Sequence, residues 1–153
     1  MTPETLTYVI YIAKCFVYCF FACFFFGFLL HCPKKAIFIG ALLGALGYVI
    51  YIPVSDYFSQ PVGFFMGTMA MSILSEFFAR LFKTPATVFL TPAIVSLVPG
   101  IGLYQSMAHF VLGETTEGVN MTVTTLINTC AIALAMATTT FVARMLFKNH
   151  KHQ

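Results

Sequence analysis

Residues Thr91–Gly113 read TPAIVSLVPGIGLYQSMAHFVLG, and this stretch decides how the rest of the chain is arranged. It is apolar and long enough to cross a bilayer, which takes roughly 20 residues. Pro99, near its middle, lacks the N–H that would bond the carbonyl of Val95, and its ring clashes with that carbonyl. Two glycines within the next three positions tolerate non-helical backbone. The sequence therefore predicts a membrane helix that is interrupted at Pro99–Gly102.

The composition of the whole chain is that of a membrane protein. Its 153 residues are 59% hydrophobic and 8% charged, with a mean hydropathy of +0.90, whereas soluble domains carry about 25% charged residues. The five cysteines are scattered through apolar runs and have neither a disulfide framework nor metal-site spacing. Because no nucleophile–base pair or phosphate-binding loop is visible, we predict no enzyme, no metal, no cofactor and no nucleic-acid partner.

The hydropathy pattern predicts an all-α, polytopic membrane protein, a single five-helix domain over residues 1–153. The five predicted spans are about 6–30, 36–54, 61–82, 91–112 and 119–147. The gaps between them are short and hold charge, proline or glycine. Small residues repeat in the second span (Gly40, Gly44, Gly47) and the third (Gly63, Gly67), which is typical of helices that pack closely in lipid.

The charges predict how the spans are oriented in the bilayer. If the spans alternate in direction, seven of the eight Lys and Arg residues fall on one side: Lys34, Lys35, Arg80, Lys83, Arg144, Lys148 and Lys151. The acidic residues of the termini and loops fall on the other side: Glu4, Asp56, Glu114 and Glu117. Because Lys and Arg mark cytoplasmic loops, the N-terminus is predicted outside and the C-terminus in the cytoplasm.

Residues Val98–Tyr104, VPGIGLY, carry a resemblance to a known family. This stretch resembles the bacterial threonine/serine exporter family, in its C-terminal membrane domain or the separately encoded small subunit. The PGxGxY core in the fourth span, the five spans and the length fit the small-subunit form over essentially the whole chain. The resemblance implies export of small amino acids or carboxylic acids, including succinate, across the inner membrane together with a larger membrane partner.

The break itself offers groups that could bind such a substrate. The half-helix after it would present free N–H groups at residues 101–103 and a positive dipole end, which suits a carboxylate. The carbonyls of residues 95–98 suit an ammonium group or a cation. The alternative is a plain kink whose groups are satisfied by Ser96, Ser106 or water. The candidate substrate-binding residues are Ser96, Pro99, Gly100, Ile101, Gly102, Tyr104, Gln105 and Asn128.

Asn128 is included because of its predicted depth. It lies nine residues into the last span, and Gly100 lies nine residues into the fourth span from the other side, so both are about 13 Å deep. A carboxamide at that depth is costly unless it is paired, and both ligand contact and bonding between helices explain it. Tyr104 and Gln105, within one turn of the glycines, are candidates for ligand contact or for packing.

Four further residues are candidates for coupling or gating. Glu76 and Arg80 lie four apart in the favourable acid-first order, near the cytoplasmic end, where an ordinary interfacial ion pair is the alternative. His109 suits proton coupling because histidine titrates near neutral pH, although passive hydrogen bonding also explains it. Lys14 lies well inside the first span. It could snorkel, pair with an acidic group on a partner, or anchor the second carboxylate of a dicarboxylate.

Five spans form only half of a typical transporter, so the sequence predicts a partner or self-assembly within the lipid bilayer. Three functions follow. The first is the small subunit of a two-part exporter for small amino or carboxylic acids. The second is a structural subunit that stabilises its partner without touching substrate. The third is a channel-like homo-oligomer, which the phenylalanine-rich first span disfavours.

Overall fold

The computed structural model describes residues 3–148 of the chain and the side chains of residues 6–145. This part of the chain folds into six helices: α1 Pro3–Leu29, α2 Lys34–Tyr57, α3 Gln60–Phe82, α4 Thr87–Ile94, α5 Gly100–Val111 and α6 Thr115–Lys148. The predicted all-α class is confirmed. The predicted basic tail at Lys151 lies outside the described residues.

Four of these helices are long and apolar enough to cross a membrane, namely α1, α2, α3 and α6. They correspond to the first, second, third and fifth predicted spans. The fourth predicted span is divided between α4, with 8 residues, and α5, with 12. Neither is long enough to cross a bilayer by itself, so a fifth crossing made by α4 and α5 together stays a prediction.

The interruption of the fourth span is present, but it begins earlier than the sequence predicts. Helix α4 ends at Ile94, α5 begins at Gly100, and residues 95–99 form turns and irregular backbone. Pro99 is the N-cap residue of α5. Proline is tolerated where a helix starts, because its missing N–H would lack a partner there, and it disfavours helical backbone in the residue before it. The glycines at 100 and 102 therefore form the first turn of α5, and the unwound segment is 95–99.

The helices meet around a core formed by α2, α3, α4 and α6. Its buried side chains include Leu43 of α2, Met71 of α3, Phe89 of α4, Leu97 of the unwound segment and Ile132 of α6. Helix α3 is central, since it packs against α2, α4 and α6, whereas α5 packs against α6 alone among the described helices. The unwound segment thus enters the core through Leu97, while α5 lies at the edge.

Helix α4 packs very closely against α2, because two glycines of α2 face it. A Cβ atom added at Gly44 would lie 2.8 Å from the carbonyl oxygen of Ala93, and one at Gly40 would lie 2.8 Å from the carbonyl oxygen of Phe89. Any side chain at either position would separate the helices. The small residues predicted for packing in the second span therefore do pack a neighbouring helix.

Helix α1 lies at the other edge of the bundle. Only 6% of its apolar span is buried, and Phe21, Phe25 and Phe28 are exposed on its surface. The Tyr8 hydroxyl donates a hydrogen bond to Asp56 Oδ2 at 3.0 Å, which joins the beginning of α1 to the end of α2. An aromatic, apolar outer surface of this kind suits contact with lipid.

Candidate functional site

Ser96 holds the unwound segment in place. Its Oγ lies 3.0 Å from the carbonyl oxygen of Ala93 and 3.0 Å from that of Gly44, so its hydroxyl proton is shared between α4 and α2. The buried thiol of Cys23 lies 3.8 Å from the same Ala93 oxygen. Side chains thus satisfy a carbonyl at the end of α4. Ser96 is anchored to protein, and a substrate would have to compete with these bonds.

Other backbone groups at the break have no hydrogen-bond partner within the part of the chain that the structure describes. These are the N–H groups of Ile101 and Gly102 and the carbonyls of Val95, Ser96 and Leu97. Two groups expected to be unpaired are satisfied: Leu103 donates to the Pro99 carbonyl at 3.2 Å, and the Val98 carbonyl accepts from Gly100 at 2.7 Å. Donors at the start of α5 and acceptors after α4 therefore remain close together in sequence at one break.

Three helices surround this break. Helix α2 reaches it through the Gly44 carbonyl, as described above. Helix α3 reaches it through Gly67, where an added Cβ would lie 3.2 Å from Leu97 Cδ1. Helix α6 reaches it through Thr125, whose Oγ1 would lie 2.5 Å from a Cβ added at Gly102. The break therefore packs against protein, namely against α2, α3 and α6.

Buried polar atoms without a partner lie on two of these helices. Thr68 and Ser72 of α3 and Asn128 of α6 are at most 5% exposed, and Thr68 Oγ1, Ser72 Oγ and Asn128 Oδ1 have no hydrogen-bond partner among the described residues. Thr68 follows Gly67 directly, and Asn128 lies one helical turn after Thr125. A buried polar atom left unsatisfied costs about 1–3 kcal/mol, so such atoms usually bind water, an ion or a ligand.

Several other hydroxyls of the bundle are satisfied within their own helix. Thr125 donates to the Met121 carbonyl at 2.7 Å, and Thr139 donates to the Ala135 carbonyl at 2.9 Å, in each case within α6. Thr68 and Ser72 make no such bond to their own helix. Sequence reasoning did not predict these two residues. Their spacing of four within an apolar span is the signal that could have identified them.

The candidate residues on α5 are divided between its two faces. Ile101 is 75% exposed and Tyr104 is 74% exposed. Gln105 is exposed as well, so these three lie away from the α6 contact. Gly102 faces α6, and Ser106, which is buried, donates to the Gly102 carbonyl at 2.7 Å. The structure does not bring Tyr104 or Gln105 to Asn128, and Gly100 has no heavy atom within 4 Å of the position its Cβ would take.

The predicted pair of Glu76 and Arg80 forms on α3. Their side chains approach to 3.8 Å, with Arg80 37% and Glu76 23% exposed. Arg80 Nη2 also donates to the Ala143 carbonyl of α6 at 3.3 Å. This pair therefore joins the end of α3 to α6, away from the break.

His109 and Lys14 lie elsewhere on the molecule. His109 Nδ1 is 2.7 Å from Glu114 Oε2, while the Glu114 N–H bonds the His109 carbonyl at 2.9 Å, so the two residues close the turn after α5. Lys14 is exposed on α1 and takes part in neither of the ion pairs found among the described side chains. The structure does not bring either residue to the break.

The described residues include no group of three or more His, Cys, Asp or Glu side chains that could hold a metal ion. Of the cysteines of α1, Cys23 is buried, whereas Cys15 and Cys19 are half-buried. What the site offers is backbone amides, carbonyls, hydroxyls and one carboxamide. Such groups bind small polar molecules and carry out no covalent chemistry by themselves.

Comparison with known proteins agrees with this arrangement. A family model described as "Threonine/Serine exporter, ThrE" matches residues 15–142, which include the break and the polar residues of α3 and α6. No curated protein and no solved structure matches the chain. The resemblance seen at residues 98–104 is confirmed. The chain therefore belongs to the threonine/serine exporter family, whose members are membrane transporters and not enzymes.

Proposed function

We propose that this chain is a subunit of a membrane exporter for small amino acids or carboxylic acids, such as threonine, serine or succinate, and that it acts with a larger membrane subunit of the same family. The observation that carries this proposal is the broken helix α4–α5, which leaves amides and carbonyls unpaired and packs at Gly102 against Thr125, one helical turn before the buried, unpaired oxygen of Asn128. Interrupted membrane helices of this type form the substrate sites of many transporters.

The chemistry of the break suits a small zwitterion or anion. The N–H groups of Ile101 and Gly102 lie at the positive end of the α5 dipole and would bind a carboxylate. The unpaired carbonyls of residues 95–97 would bind an ammonium group. The polar atoms of Thr68 and Asn128 would contact the remaining polar part of the substrate. For a dicarboxylate, Lys14 would bind the second carboxylate. Because Lys14 is exposed on α1, the partner subunit would have to pack against α1 and close the substrate path on that side.

The open side of the break supports the need for a partner. Val98, in the unwound segment, is 52% exposed, and Ile101, at the start of α5, is 75% exposed. Irregular backbone at membrane depth is tolerated only where protein or a water-filled cavity covers it, because lipid offers no hydrogen bonds. Among the described helices α5 contacts α6 alone. A larger membrane subunit seated on α5 would cover this surface and complete the substrate path.

The remaining sequence predictions belong to the same proposal. The protein lies in the bacterial inner membrane, with its N-terminus outside and its C-terminus in the cytoplasm. The Glu76–Arg80 pair, which links α3 to α6, gates the cytoplasmic end. His109, paired with Glu114 at the other end of α5, couples export to protons.

The proposal can be tested in vesicles that contain this chain together with its larger partner. The vesicles are loaded with radiolabelled threonine, serine or succinate, and efflux is compared for wild type, Asn128→Leu and the control Asn120→Leu, whose side chain is exposed on the same helix. We expect Asn128→Leu to abolish efflux of the transported acid while the complex stays assembled. Asn120→Leu should keep normal efflux.

Two results would contradict the proposal in different ways. Normal efflux through an assembled Asn128→Leu complex would exclude the proposed site and favour a structural subunit that never contacts substrate. Efflux from vesicles that hold this chain alone would show that no partner is needed and would favour a homo-oligomer.

A further inference from the structure

A groove of about 380 Å³ runs between α3 and α6, separate from the break. Its walls are almost entirely apolar and include Ile73 and Phe77 of α3 and Val142 of α6. These three side chains are 52–63% exposed, so the groove is open to the surroundings of the bundle. Both helices are candidate membrane spans. Its open side would therefore face the hydrocarbon of the bilayer.

The length of the groove corresponds to one leaflet of a bilayer. Along α3 it extends from Met69 to Arg80, which is about 16 Å at the rise of an α-helix. The hydrocarbon core of a bilayer is about 30 Å thick, so one leaflet accounts for roughly 15 Å. A slender occupant of that length, such as one acyl chain, matches this small apolar volume.

One end of the groove holds its charged lining residues, Glu76 and Arg80. Arg80 lies there, held by Glu76 at 3.8 Å and by the Ala143 carbonyl at 3.3 Å. Lys83 follows as the left-handed C-cap residue of α3, and Arg144 follows Ala143 on α6. Among the described side chains, Arg80 is the one basic residue that lines the groove, and Lys83 and Arg144 add positive charge beyond its end. Basic residues beside an intramembrane groove attract the anionic headgroups of lipids.

We propose that this groove binds an anionic phospholipid, with one acyl chain between α3 and α6 and the phosphate beside Arg80. The apolar walls supply affinity for the chain, and the positive end selects the headgroup. The site lies on the side of the membrane that the charge pattern predicts to be cytoplasmic. The lipid site shares Glu76 and Arg80 with the proposed gate but uses neither the break nor Asn128, so lipid binding can be measured separately from export.

The headgroup contact is tested by native mass spectrometry of the purified full-length chain in detergent, titrated with phosphatidylglycerol or phosphatidylcholine. We expect the wild type to bind one phosphatidylglycerol with about a fivefold preference over phosphatidylcholine, the effect expected of one basic residue near a membrane surface. Arg80→Gln should remove this preference and Arg80→Lys should keep most of it. Lys34→Gln, which removes a positive charge on α2 away from the groove, should leave it unchanged.

The acyl-chain contact is tested with a matched pair on α6. Thr138 lines the groove, whereas Thr124 is exposed outside it, and each hydroxyl bonds the carbonyl four residues earlier. Thr138→Phe should fill the groove and reduce occupancy by either lipid, while Thr124→Phe should bind lipid as the wild type does. This test remains valid even if Arg80→Gln fails to fold.

Two results would overturn the proposal. The first is a wild-type headgroup preference in folded Arg80→Gln. The second is wild-type lipid occupancy in Thr138→Phe. If the fraction of dimers also changes in that variant, a second copy of the chain occupies the groove in place of lipid.

Discussion

Gly102 of α5 lies directly against Thr125 of α6, so closely that a Cβ atom on the glycine would come within 2.5 Å of the threonine Oγ1. This contact fixes where the helix after the break begins relative to α6. It also sets the distance between the unpaired amide of Gly102 and the region of Asn128, one turn further along α6. The geometry of the candidate site therefore depends on the absence of a single methyl group.

Gly102→Ala is expected to impair export and lower thermal stability, because the added methyl would push α5 away from α6. Overpacking of this kind typically costs about 1–3 kcal/mol. Gly100→Ala is the matched control, since no heavy atom lies within 4 Å of its Cβ position.

The double variant Gly102→Ala/Thr125→Ala should recover much of the loss, because the remaining contact is with the Cβ of residue 125 at 3.5 Å. Efflux and thermal unfolding of the complex provide the two measurements. Equal behaviour of the two glycine variants would mean that α5 is not held as described.

Ser96→Ala should destabilise the protein by about 0.6 kcal/mol, the average measured for hydrogen bonds between membrane helices. The variant loses the bonds from Oγ to the Gly44 and Ala93 carbonyls. Thr91→Ala is the control, because the Thr91 hydroxyl bonds only the Thr87 carbonyl of its own helix and is exposed. Unfolding in detergent should show a larger decrease in midpoint for Ser96→Ala. If Thr91→Ala is equally destabilised, Ser96 does not anchor the break.

Thr68→Val is expected to reduce efflux without lowering stability. The Thr68 hydroxyl is buried without a partner among the described residues, and replacing such a group by an apolar one of the same shape is neutral or stabilising. Thr139→Val is the control, since that buried hydroxyl bonds the Ala135 carbonyl. It should lose some stability and keep its efflux. A Thr68→Val variant that loses stability but transports normally would assign the hydroxyl to packing between helices.

The predicted orientation can be tested in intact cells with single cysteines in a variant that lacks the five natural ones. A membrane-impermeant maleimide should label Glu117→Cys from outside, and it should label Lys83→Cys only after the cells are permeabilised. Glu117 begins α6 and Lys83 ends α3, and both side chains are exposed. Labelling in the opposite order would show that the topology is the reverse of the prediction. Labelling of both residues from outside would show that α4 and α5 enter and leave the membrane on the same side and do not form a single crossing.

The sequence by itself determined which segments form helices and that the fourth span is interrupted near Pro99, although the unwound segment is 95–99 and not the predicted 99–102. Hydropathy and length depend only on local composition, so the bounds of α1, α2, α3 and α6 follow the predicted spans closely. Proline acts through its own ring and its missing N–H, so the break near Pro99 was predictable as well. The pair of Glu76 and Arg80 followed from helical spacing alone.

Only the tertiary structure decided which polar side chains are buried without a partner and which residues of α5 are exposed. Ile101 and Tyr104 are turned outward, while Thr68 and Asn128 are buried and unpaired. The tertiary structure also showed that Ser96 is bonded to α2. These outcomes depend on how each helix is rotated about its axis and on how closely glycines let neighbours approach. Rotation and approach are set by contacts between segments that are distant in the sequence, and local sequence patterns do not contain them.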